Sequence, residues 1–231
     1  MSNGSDANFQ ITPDILLKAY ASGIFPMADS ADDPDIYWVE PALRGILPLE
    51  EFHLPRRLKR TIRSDRFTVR IDTDFENVIE GCAGAAPGRR STWINAKIRQ
   101  LFGELFRLGH VHTVETWRDG RLVGGLYGLH LGSAFFGESM FSHETDASKV
   151  AFVHLVARLK HGGFRLLDTQ FVTDHLTRFG VVEIPRSQYH LLLDDALQDI
   201  AEFRCFDQDW SEPDPVPVSG NAVLQLVNQT S

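Results

Sequence analysis

The clearest patterning of apolar and polar positions lies between residues 110 and 172. His112 to Arg118 and Arg121 to Leu129 read as two strands joined by Asp119-Gly120, a pair that favours the tight two-residue turn because both positions tolerate positive φ. A further turn near His130 to Gly132 leads into Phe135-Phe136-Gly137-Glu138-Ser139-Met140-Phe141-Ser142, an apolar run with the carboxylate Glu138 at its expected exit. Val150 to Lys160 carries apolar residues at helical spacing, with Asp146-Ala147-Ser148 as its expected cap and His161-Gly162-Gly163 as its stop. Phe164 to Val172 reads as another strand, holding Asp168 and Gln170. Side chains two apart leave a strand on one side, so those two polar groups are expected to share a face. A meander that feeds a strand–helix–strand unit predicts a mixed sheet in an α+β domain.

Upstream, Thr12 caps a predicted helix that starts at Pro13 and runs to about Ser22. Ile24 to Met27 reads as an apolar turn and Tyr37 to Val39 as a short strand. A helix over Pro55 to Ile62, a strand over Phe67 to Ile71, and helices over Asp74 to Cys82 and Asn95 to Leu108 follow, with a Gly/Pro/Arg loop over Gly84 to Arg90. Downstream, Asp174 to Phe179 and Arg186 to Phe203 are expected to be helical, and the Pro-rich stretch from Cys205 onward to be poorly ordered. The expected organisation is an N-terminal domain over 1–62, a larger catalytic domain over 63–204 and a tail over 205–231.

Composition changes the picture little, and charge changes it more. The apolar content of 43% is that of an ordinary globular chain. No apolar run reaches the ~20 residues of a membrane span. Cys82 and Cys205 stand far apart without metal-ligand spacing, and free thiols in a cytoplasmic protein are expected. The formal net charge of −8 argues against an extended nucleic-acid surface. Its distribution argues the other way, since Arg56, Arg57, Lys59, Arg60 and Arg63 fall within one short predicted helix or directly at its end. Such a face is either simply solvated or tracks phosphates.

Candidate chemistry starts from Asp168, Gln170 and Glu138. A buried carboxylate without partners is costly, so Asp168 either caps a neighbouring helix or serves a reaction; the residues alone leave both open. Glu138 carries the same ambiguity. No HExxH or CxxC set, no G-x-x-x-x-G-K-[ST] and no G-x-G-x-x-G loop is present, which points away from metal and nucleotide chemistry. Trp38 and Trp93 either pack in the core or stack a single-stranded nucleotide end.

Several runs, in order and spacing, resemble the leucyl/phenylalanyl-tRNA–protein transferase family. They are Tyr20 through Pro26, Glu80-Gly81-Cys82-Ala83, Thr92-Trp93-Ile94, Glu115 with Trp117, and Leu122 to Gly125 with Tyr127-Gly128. Gly137 to Ser142, Ala147-Ser148-Lys149, Asp168 with Gln170, and Glu183 to Arg186 with Tyr189 continue the match. The resemblance implies a small N-terminal α/β domain and a larger acetyltransferase-like mixed-sheet domain. It also implies transfer of Leu, Phe or, less well, Met from aminoacyl-tRNA to proteins with N-terminal Arg or Lys, by a cytoplasmic monomer without metal or cofactor. Asp168, Gln170 and Glu138 would then be catalytic; Trp38, Trp93, Leu126 and Phe135 would hold the aminoacyl-adenosine end; Arg56, Arg57, Lys59, Arg60 and Arg63 would take tRNA phosphates. An acyl-CoA enzyme of the same architecture would want a pyrophosphate loop that Arg121 to Leu126 lacks, and a plain RNA-binding module would leave the three polar residues unexplained.

Overall fold

The computed structural model describes residues 11–84, 92–204 and 217–228. Seven strands form one mixed sheet in the order β4 (Thr68–Ile71), β5 (Val111–Arg118), β6 (Arg121–Leu131), β7 (Ala134–Ser142), β8 (Leu166–Gln170), β3 (Leu43–Leu47) and β9 (Val182–Pro185). The β5–β6 turn is the expected one, with Asp119 at φ 51° and Gly120 at φ 72°. A separate two-stranded ribbon pairs β1 (Phe25–Met27) with β2 (Tyr37–Val39), so the predicted apolar turn at Ile24 to Met27 is a strand.

Two apolar cores lie on opposite faces. On one, α5 (Ala147–His161) crosses the sheet and is itself covered by α2 (Arg56–Arg63) and α8 (Gly220–Val227). Burial from both sides explains why every α5 residue from Ala147 to Leu159 except Lys149 is buried, where sequence spacing suggested a one-sided stripe. The α5 start also differs from the expectation. Asp146 is left-handed at φ 71° and caps nothing; the free N–H of Ser148 donates instead to Ser142 Oγ at 3.2 Å. On the other face lie α1 (Pro13–Ala21), α3 (Phe75–Ala83), α4 (Ala96–Arg107) and α7 (Arg186–Gln198).

The sequence boundary at 62/63 does not divide the sheet. Strand β3 comes from the expected N-terminal domain yet sits between β8 and β9, antiparallel to both. The expected tail also contains order. Ser219 caps α8 by accepting from Ala222 N at 3.3 Å, and Val223, Leu224 and Val227 are buried against α2 and α5. That spacing of apolar residues gives a short helix one face to bury. The loop expected at Gly84 to Arg90, apart from Gly84 itself, and most of the remaining tail lie outside the described residues.

One departure from sheet regularity creates space. Strands β7 and β8 run parallel and pair only where Ala134 to Phe136 faces Leu166 to Asp168. Beyond that they part, and a cavity opens between Gly137–Met140 and Leu167–Gln170.

Candidate active site

Asp168 is fully buried in β8 and surrounded by donors. Arg44 Nε donates to its Oδ1 at 2.9 Å and Arg44 Nη2 to its Oδ2 at 2.6 Å. The Tyr189 hydroxyl donates to Oδ2 at 2.8 Å, and the backbone N–H of Gln170 to Oδ1 at 2.8 Å. Arg44, 1% exposed, also donates to the Gly23 carbonyl at 3.0 Å and lies between the Phe25 and Tyr189 rings. An ion pair out of water repays its desolvation only when geometry is good and the remaining valences are filled, as they are here. Burial, followed by the Asp168 charge, pushes Tyr189 far above its usual range, so it remains a donor.

The last residue of β8 is bent by this anchoring. Gln170 adopts a left-handed backbone at φ 55°, rare for a residue with a side chain, and its N–H bond to Asp168 holds it there. The facing strand makes room: the β3 register slips between Gly45 and Ile46, and a Cβ on Gly45 would lie 2.9 Å from the Phe171 carbonyl carbon and from Thr169 Oγ1. Simple alternation of Asp168 and Gln170 therefore fails, because the strand turns at the second residue. Asp168 faces only protein, whereas Gln170 reaches the cavity.

Glu138 sits mid-strand rather than at the strand exit. Gly128 pairs with Gly137 and Tyr127 with Ser139, which leaves Glu138 as the extra residue of a bulge in β7. The Tyr20 hydroxyl donates to Glu138 Oε1 at 2.7 Å, and Gln170 Nε2 approaches the same oxygen at 3.4 Å. Burial pushes the Glu138 carboxyl up to about 8; the Tyr20 bond pulls it down and the Asp168 charge pushes it further up. Tyr20 is raised well above its usual value by burial and then by Glu138, so it too stays a donor.

Glu138 and Gln170 stand where two cavities meet. One, of about 310 Å³, is walled by Leu126, Met140, Phe152, Leu155, Leu167 and Leu176. The other, of about 70 Å³, is walled by Phe25, Pro26, Met27, Trp93 and Phe171. An apolar pocket with a few convergent polar groups, one of them carrying a displaced pKa, has the character of a small-molecule or transfer site.

The sequence candidates divide on this map. Glu138, Gln170, Leu126 and Trp93 line the two cavities, and Asp168 lies directly behind them. Phe135 is absent from both linings. It is fully buried on the cavity's side of the sheet, in the same apolar core as Leu126 and Leu167, but it packs behind the wall, stacked 5.4 Å from Phe203. Trp38, on β2, is 38% exposed and belongs to neither lining, though it pairs across the ribbon with Pro26 of the smaller cavity. On α2, Leu58 and Ile62 turn inward, which leaves Arg56, Arg57, Lys59, Arg60 and Arg63 on a basic outer side. Sequence reasoning missed the role of Arg44, whose one signal was a lone cation in an otherwise apolar strand. It also missed that the Tyr20 and Tyr189 hydroxyls serve the two carboxylates.

The family model described as "Leucyl/phenylalanyl-tRNA protein transferase" matches residues 46–194, and the model of that family's N-terminal domain matches residues 9–42. Proteins named leucyl/phenylalanyl-tRNA–protein transferase are similar along nearly the whole chain. One from Nitrobacter winogradskyi is 61% identical over 97% of this chain and 97% of its own. One from Rhodopseudomonas palustris strain HaA2 is 57% identical over 98% and 99%, and one from Paramagnetospirillum magneticum 64% identical over 84% and 92%.

Proposed function

The chain belongs to the leucyl/phenylalanyl-tRNA–protein transferase family, and from that premise we propose that it is an aminoacyltransferase moving Leu or Phe, and Met less readily, from aminoacyl-tRNA to the N-terminal Arg or Lys of an acceptor protein. The product would carry the bulky N-terminal residue that marks a protein for degradation, and the enzyme would act as a cytoplasmic monomer. The observation that carries the reading is Glu138: a carboxyl raised to about 8, held by Tyr20 and Gln170, at the mouth of an apolar cavity.

The ester linking an amino acid to tRNA is already activated, so the chemistry needs positioning and proton transfer rather than a nucleotide cofactor. The Leu or Phe side chain fills the larger cavity, with Leu126 in its wall. The terminal adenosine lies against Trp93, and Trp38 closes over its outer side. The acceptor α-amine attacks the ester carbonyl, the carbon–nitrogen bond forms, and a tetrahedral intermediate collapses with loss of the ribose hydroxyl. Glu138 takes the proton released by the amine and returns it to the departing ribose oxygen. An α-amine titrates near 8, so a carboxylate of about 8 is matched to it, as efficient general-base catalysis requires. With Gln170 Nε2 turned to Glu138, Gln170 Oε1 accepts from the attacking nitrogen and aligns it. Asp168 has no free lone pair aimed at substrate; it fixes Gln170 through the backbone N–H.

The test is transfer of labelled Phe from charged tRNA to a peptide beginning with Arg or Lys. Glu138→Gln is expected to lower turnover by roughly 10²–10⁴-fold while tRNA binding persists, the range for losing a general base. Gln170→Ala should also lower kcat at saturating substrates. No transfer from either Leu- or Phe-tRNA by the wild-type protein, with tight tRNA binding, would overturn the reading.

A further inference from the structure

Beside the larger cavity lies another of about 260 Å³, and His175 of the short helix α6 (Asp174–Thr177) belongs to the walls of both. Three separate segments line it: Arg57 and Leu58 from α2, Asp146 and Lys149 where α5 begins, and Arg178 and Phe179 just after α6. Three cations thus face one space against a single carboxylate, which makes the formal balance +2 (3 − 1). Asp146 Oδ1 accepts from Lys149 Nζ at 2.9 Å, which fixes that ammonium while leaving it further donors. Among the described residues neither Arg57 nor Arg178 is paired with a carboxylate. His175 Nε2 is buried in the shared wall without a hydrogen-bond partner. Burial, then the charges of Lys149 and Arg178, push His175 below its usual value, so the groups feel one another's field.

Three cations gathered against one carboxylate repel, and this chain, at −8 overall, has carboxylates enough to neutralise the other two. An arrangement left open in that way suits an anion with several acceptor oxygens, for which a forked guanidinium and a fixed ammonium are complementary. We propose that the cavity is a phosphodiester subsite, in which Arg57, Lys149 and Arg178 grip a backbone phosphate of the charged RNA. The proposal rests on the transferase reading for the identity of the anion, and it adds Lys149 and Arg178, which lie outside the basic helix, to the groups that hold RNA. It also joins recognition to reaction, since one wall separates the phosphate from the aminoacyl side chain.

The experiment measures binding of an uncharged RNA minihelix ending in CCA between 50 and 200 mM salt, for the wild type and for Lys149→Gln/Arg178→Gln. The double variant is expected to bind roughly tenfold more weakly at the low-salt end, with the slope of log K against log salt reduced by about 1. Arg178→Lys, tested singly, should retain the slope. In transfer assays the double variant should lower kcat/KM for phenylalanyl-tRNA by a similar factor while sparing phosphate-free 3′-phenylalanyl-adenosine. His175, followed by NMR, should titrate higher when the minihelix is bound, because a phosphate offsets the two cations. An unchanged salt slope, or an equal loss on the phosphate-free substrate, would overturn the subsite. A reduced slope in a protein whose wild type transfers no amino acid would instead uphold the subsite and sink the transferase reading.

Discussion

Asp168 and Glu138 are carboxylates of neighbouring strands, the first fully buried and the second half-buried beside the cavities, and their surroundings are opposite. Asp168 receives four donor atoms, two of them from one guanidinium, and lines neither cavity. Glu138 receives one phenol at 2.7 Å and one distant amide, and borders both cavities. Glu115, fully buried, extends the first pattern: it accepts from Thr73 and Asp74 backbone N–H, from the Thr73 and Thr113 hydroxyls, and from Trp117 Nε1. The difference separates a charge used as a structural anchor from one kept reactive. A saturated carboxylate holds geometry; an undersupplied one has proton affinity to spend on substrate.

The largest effect should come from stripping the anchor. Arg44→Met leaves Asp168 buried without its counter-ion and should cost about 3–5 kcal/mol, measured by urea unfolding. A loss below about 1 kcal/mol would mean that Asp168 is not the fixed charge described. The next effect sharpens the other side. Between pH about 4.5 and about 8, folded Glu138 keeps a proton that the unfolded chain releases, so its contribution to stability falls as pH rises through that window. Glu138→Gln should flatten that decline, by at most ~1.4 kcal/mol per pH unit. Stability profiles that superimpose would show an ordinary, low carboxyl pKa. Tyr20→Phe removes a bond that favours the charged form, so the alkaline-rising limb of kcat/KM should move up by about 1 pH unit, worth ~1.4 kcal/mol. Smallest, Tyr189→Phe should cost about 1 kcal/mol of stability and leave that limb unmoved, since Asp168 keeps its other donors. A shifted limb in that variant would erase the distinction between the two carboxylates.

Much of this was legible in sequence where the contacts are local. The Asp119-Gly120 turn, the meander, the α5 unit and the α+β class follow from alternation and turn chemistry within short windows. Glu138 and Gln170 stood out as polar residues in apolar strands, and both reach the cavities. What failed was non-local. Nothing near Arg44 says that its strand inserts between β8 and β9, because that pairing is decided by residues 124 positions away. The α8 helix looked like tail because its apolar residues have no partner until α2 and α5 provide one. Phe135, which the resemblance places in the pocket, lies on the cavity's side of the sheet one layer behind its wall, and only its distant partner Phe203 shows that. The bend at Gln170 depends on Gly45 opposite, which no reading of β8 alone supplies.

The insertion of β3 has a consequence in time. A chain emerging from the ribosome at about 5–20 residues per second delivers Arg44 long before Tyr189, 145 residues later. For roughly 6–25 seconds, until the chain reaches Asp168 124 residues on, the segment that will carry the arginine has neither of its flanking strands and the carboxylate it will anchor is unmade. The nascent chain therefore lacks its anchored carboxylate until almost all of the sheet has been synthesised.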